Sequence, residues 1–115
     1  MPLGGKQVAR DDYAIATEWA NRIEAALREA GMWQEQPLPA EAYEFRQAFA
    51  MDTMAFSQWL QFIFLERIRS IIAERGNFPA KSQVAAQAVR EFDGVIEASG
   101  LCSVLSEFDY WINRR

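Results

Sequence analysis

The stretch AFAMDTMAFSQWLQFIFLERI, residues 48–68, holds one acid, Asp52, and then thirteen residues with little polar relief before Glu66 and Arg67. Between Thr53 and Leu65 only Thr53, Ser57, Gln58 and Gln61 are polar. Two readings of Asp52 compete. A carboxylate hemmed in by Phe49, Met51 and Met54 would have a raised pKa and could serve catalysis. The same residue in front of a helix would accept from the amides of Met54 or Ala55 as an N-cap, with Thr53 as the alternative cap. Caps are common and lone buried acids are costly, so the cap is preferred.

On that reading a helix starts at Asp52 or Thr53 and runs to about Arg75, where Gly76-Asn77-Phe78-Pro79 stops it. Its first half is apolar nearly all round, through Phe56, Trp59, Leu60, Phe62, Ile63, Phe64 and Leu65. Such a helix is central and touched from several sides. Its second half is amphipathic, with Ile68, Ile71 and Ile72 inward and Arg69, Glu74 and Arg75 outward.

Upstream, residues 8–30 form a first helix with Ile15, Ala16, Trp19, Ile23, Ala26, Leu27 and Ala30 on one side. Glu18–Arg22 and Glu24–Arg28 stand in the favourable i,i+4 order, and Gly31 is the stop. The prolines of GMWQEQPLP, residues 31–39, exclude a regular helix and mark a crossover loop, pinned by Met32, Trp33 and Leu38. Pro39 opens a short turn through about Gln47. A third helix begins near Ser82, with Val84, Ala85, Ala88, Val89 and Phe92 inward. Gly94 either breaks it or lets Val95 and Ile96 carry the stripe to Ala98. A fourth covers about 101–113, with Leu101, Val104, Leu105, Phe108 and Ile112 on a narrow arc bordered by Trp111. No segment alternates like a strand. The expected fold is all-α: one domain over 1–115, residues 1–7 flexible, a four-helix, mostly antiparallel bundle with a Pro-containing crossover between helices 1 and 2. Its expected core is Trp19, Ile23, Leu27, Trp59, Leu60, Ile63, Phe64, Phe92, Leu105 and Phe108.

Composition narrows function further. Eight Phe, four Trp and three Tyr in 115 residues supply a core without staples. The lone Cys102 cannot form an internal disulfide. No signal peptide or membrane-spanning run is visible, which points to a cytoplasmic protein with no membrane partner. The net charge of −4 disfavours direct nucleic-acid binding, and the absence of histidine removes the commonest general base and metal ligand. The densest cations, Arg67, Arg69, Arg75 and Lys81, do not share one stripe and interleave with Glu66 and Glu74. No Walker loop, GxGxxG or metal-ligand spacing occurs, so no catalytic residue, cofactor or metal is expected. Gln58 and Gln61 beside Trp59 are, with Asp52, the candidate pocket, although two glutamines are more often the wet side of a helix. Trp33 in the loop and Trp111 at the arc edge are the candidate interface.

The triplets Asp52-Thr53-Met54 and Trp59-Leu60-Gln61, followed by an aliphatic run to Arg67, resemble the signature of the YqcC-like family of small bacterial proteins. That family often has Pro where this chain has Glu66, and the third helix and the 93–100 connection match poorly. The resemblance implies a small all-helical fold and no established activity. Genes of that family often lie beside one for a tRNA pseudouridine synthase, which implies a link to tRNA modification. The expected function is a non-enzymatic helical module that binds another protein, its oligomeric state open. The alternative is a small-ligand binder or minor enzyme with a cleft near Asp52, Gln58 and Gln61.

Overall fold

The computed structural model describes residues 10–115, so the expected flexibility of 1–7 and the helix start at Val8 lie outside the described residues. Four helices and no strand occur among them. Helix α1 is Arg10–Glu29. Helix α2 spans 56–74 as an α-helical turn Phe56–Trp59, a π turn Leu60–Phe64 and an α-helical half Leu65–Glu74. Helix α3 is Val84–Glu91 and α4 is Ser99–Arg114.

Helix α1 carries Asp11 and Asp12 in its first turn and Arg28 in its last, placements its dipole favours. Its end is a Schellman closure: the Gly31 amide donates to Arg28 O at 3.0 Å and the Met32 amide to Leu27 O at 2.9 Å, with Gly31 at φ +74°. Its buried stripe is Ala16, Ala20, Ile23 and Leu27. Ile15, expected inward, is exposed, and Trp19 is only partly buried. The small alanines carry the close approach instead, and Trp19 packs from the edge onto Phe108 at 6.4 Å.

Side-chain pairs set the helix directions. Tyr13 Oη donates to Gly76 O at 2.7 Å and Arg69 meets Glu24 at 2.8 Å, so α1 and α2 are antiparallel. Arg115 meets Asp12 at 2.9 Å and Arg22 meets Glu107 at 3.2 Å, so α1 and α4 are antiparallel too. Arg22 thus pairs across helices rather than with Glu18. Helices α2 and α4 therefore run in the same sense and touch through Phe64 and Phe108, edge to face at 5.4 Å. Helix α3 lies antiparallel to α4, because Ser82 and Asn113 exchange bonds of 2.8 and 3.0 Å through backbone and amide.

Three boundaries differ from the sequence reading. Helix α2 starts at Phe56, since residues 51–54 form turns and bends. The turn opened by Pro39 ends at Tyr43, and a separate single turn occupies Ala48–Ala50. Helix α3 starts at Val84 and ends at Glu91. Gly94 at φ +80° breaks the path, leaving Ile96 82% exposed, so no stripe continues to Ala98. Phe92, just past that end, is partly buried against the core.

The α3 start has a cap that comes from α4. Asp109, 8% exposed, accepts from Ser82 Oγ and, at 2.8 Å, from the Ala85 amide. It satisfies an orphan donor of the α3 first turn from 24 residues away. Asp109→Ala is expected to lower unfolding free energy by about 2 kcal/mol in urea denaturation, with a smaller loss for Asp109→Asn, which retains an acceptor.

Candidate functional site

Gln58 and Gln61 face the crossover loop. Gln61 is buried, and its amide brackets one residue: Oε1 accepts from the Gln34 amide at 2.9 Å and Nε2 donates to Gln34 O at 2.7 Å. Gln58 Nε2 donates to Gln34 Oε1 at 3.0 Å, while Gln58 Oε1 accepts from the Ala55 amide at 2.8 Å. The second bond closes the start of α2, the role expected of Asp52. These glutamines satisfy backbone that a loop crossing a bundle would otherwise leave unpaired. Trp33, the residue before Gln34, is partly buried with the Arg28 guanidinium 4.6 Å above its ring.

Asp52 sits apart from them. The amides of Arg46 and Gln47 donate to its carboxylate at 2.9 and 3.4 Å, so it closes the 46–52 loop and does not cap α2. The Arg46 amide, foremost, holds its carboxyl below the usual carboxylate range. Thr53 Oγ1 donates to Ala42 O at 2.6 Å and ties the same loop down. Within it Phe49 and Ala50 both adopt left-handed backbone, at φ +56° and +51°. Ala50 is fully buried, and the Phe49 ring packs edge to face on Phe56 and Trp59 at 5.6 and 4.9 Å.

Phe49 also walls a cleft of about 500 Å³. Phe64, Phe78 and Phe108 supply further walls, and Arg67 and Lys81 line it. A second cleft of about 590 Å³, lined by Tyr43, Phe45 and Phe62 among others, shares Arg67 and Ile71 with the first. Of the four cations grouped in the sequence, Arg69 binds Glu24 and Arg75 lies 5.0 Å over Tyr13, which leaves Arg67 and Lys81 together at the first cleft. Asp52, Gln58 and Gln61 line neither cleft.

Trp111 is partly buried. It packs edge to face on Phe78 at 5.7 Å, with the Arg115 guanidinium 5.7 Å from its ring. Cys102 is half-buried and burial pushes its thiol pKa up, away from the nucleophilic form. No cluster of metal-ligating side chains occurs among the described residues. No helix among them is long and apolar enough to cross a membrane. Sequence reasoning missed the four-Phe cleft and Asp109. The only local signal for the cleft was the Phe-Pro of the 76–79 stop, because its other walls come from distant segments.

Comparison with known proteins gives a family and two relatives. The family described as "DUF446: tRNA pseudouridine synthase C" matches residues 16–111. An uncharacterized protein of Haemophilus influenzae is 27% identical over 75 residues, 63% of this chain and 71% of that one. A tRNA pseudouridine synthase C of Pectobacterium carotovorum subsp. carotovorum is 42% identical over 50 residues, 44% of this chain and 13% of that one. No solved structure matches.

Gln61→Leu keeps the volume but strands the Gln34 amide and carbonyl. It is expected to cost about 2 kcal/mol in urea denaturation and to shift tryptophan emission as Trp33 loosens. For Asp52 the folded pKa is depressed, so its stabilisation is full above the ordinary range and is lost as pH falls through the depressed value. The melting-temperature gap between the unmodified chain and Asp52→Ala should be widest at neutral pH and should close below about pH 4. A gap that stays constant down to the lowest measurable pH would remove the charge from that role.

Proposed function

This chain belongs to the DUF446 family, and from that membership we propose that it is a non-enzymatic helical module that binds a partner protein of the tRNA-modifying machinery. The observation that carries the reading is the uneven coverage of its relatives. Related sequence makes up 71% of the Haemophilus chain but 13% of the Pectobacterium synthase. The two matches, 75 residues that fill most of one chain and 50 residues that fill a small part of another, support a unit that stands largely by itself in one protein and beside an enzyme's other parts in another. Where such a unit is not fused to its enzyme, non-covalent association supplies the same proximity.

The chemistry of the chain supports binding over catalysis. It has no histidine. Asp52, Gln58 and Gln61, polar groups of the signature segment, spend their hydrogen bonds on backbone and on the Gln34 side chain. The net charge of −4 disfavours a direct grip on tRNA, since affinity for nucleic acid rests on neutralising phosphates. The partner is therefore the protein component rather than the RNA.

Isothermal titration of the purified chain into a purified tRNA pseudouridine synthase of the same organism tests this. A saturable complex with a dissociation constant of about 10 μM or tighter is expected, and so is no tight binding to tRNA by the chain alone. Lack of association at about 100 μM with active synthase, or nanomolar tRNA binding with a steep salt slope, would overturn it.

A further inference from the structure

We propose that the four-Phe cleft is a binding site for a small organic carboxylate with an apolar body. The inference goes beyond partner binding and does not depend on it. Phe49, Phe64, Phe78 and Phe108 reach this one space from the 46–52 loop, α2, the 76–83 connection and α4. A cleft of about 500 Å³ falls in the size range of small-molecule sites, which are apolar with a few placed polar groups.

The placed groups here are cations. Arg67 and Lys81 line the cleft, and among the described residues neither makes an ion pair, whereas Arg22, Arg28, Arg69 and Arg115 all do. No acid lines it, in a chain where 16 acids outnumber 12 bases. Glu66, next to Arg67, lines the second cleft instead. Asp109, which reaches the region through Ser82, is held by Ser82 and Ala85 and is not part of the lining. Two cations at the rim of an apolar cleft, neither paired with an acid, favour an anion there over a neutral group.

The rest of the lining narrows the anion's body. Ser82 is already committed through its amide, hydroxyl and carbonyl, to Asn113 and Asp109. That leaves the Asn77 and Gln83 amides as the neutral polar side chains of a lining dominated by four phenyl rings, so a mostly apolar body fits better than a nucleotide or a peptide. The left-handed backbone of Phe49 agrees with this. It is a costly conformation for a bulky residue, held by the Asp52 and Thr53 bonds, and it turns the ring into the cleft wall.

The test titrates 2-naphthoate into the full chain, with amide NMR shifts as readout. Saturable binding with a dissociation constant below about 1 mM is expected, with shifts centred on Arg67, Phe78 and Lys81, and with the uncharged 2-naphthalenemethanol at least about tenfold weaker. Both cations are exposed, so the double variant Arg67→Ala/Lys81→Ala should stay folded. It should weaken naphthoate by about tenfold, leave the alcohol unchanged, and differ in this from Arg90→Ala on α3. No saturation by about 5 mM, equal affinity for acid and alcohol, or full retention by the double variant would overturn the proposal. So would tighter binding of uridine 5′-monophosphate than of naphthoate, which would make this a nucleotide site. The acid–alcohol comparison in the unmodified chain decides the matter even if the double variant fails to fold.

Discussion

Five of the six residues from Leu60 to Leu65 are buried, which no single face of a regular α-helix can accommodate. The chain meets that constraint in two ways. The π turn at Leu60–Phe64 inserts a residue into the helical repeat and rotates the later turns of α2, so that Ile68 still lands inside. The surroundings then cover the remaining sides: the crossover loop over Gln61, α4 at Phe64, and α1 against the second half of α2. Gln61 is the one polar side chain in this wall. Its burial is tolerable because both ends of its amide are satisfied by the Gln34 backbone. Loop position and helix phase are thus coupled, since moving Gln61 by one residue would unpair both.

The loop before α2 is the strained part of the structure. Two consecutive non-glycine residues in left-handed backbone cost about 1–2 kcal/mol each. The offset comes from the full burial of Ala50, from the aromatic contacts of Phe49 with Phe56 and Trp59, and from the Asp52 and Thr53 bonds. An extended path through 48–51 would save that cost, but Phe49 would lose both aromatic neighbours and the cleft would lose a wall.

How much of the fold was legible depends on whether a feature had a local cause. The near-continuous apolar run marked α2 as central, and Gly31 and Gly94 marked breaks where left-handed backbone occurs. Gly76 marked the end of α2 one residue late, because Arg75 takes the left-handed position itself and lies over Tyr13. The start of α2 was misread because Asp52 looks like a cap in sequence, while its carboxylate turns back to amides five and six residues earlier. No glycine announces the strained pair at Phe49 and Ala50. Asp109 caps a helix in another part of the chain, and only the antiparallel docking of α3 on α4 brings it there. The cleft is the extreme case, because its four rings and two cations come from segments that share no periodicity.

Charge divides the surface in the same non-local way. The ion pairs Glu24–Arg69, Asp12–Arg115 and Arg22–Glu107 lie along the seams of α1 with α2 and α4. Burial alone would raise the Glu24 carboxyl, but Arg28 and Arg69 outweigh it and hold it lower. These pairs are partly exposed, so their contribution is mainly to select the antiparallel register and only modestly to add stability. With the seam cations occupied and the acids in excess, the rest of the surface is acidic on balance, and Arg67 with Lys81 forms a local exception. In the proposed complex with a tRNA-modifying enzyme, such a surface would be repelled by the RNA phosphate backbone and would favour contact through protein. The same field would make the cationic patch the point on the chain where a small anion meets the least resistance.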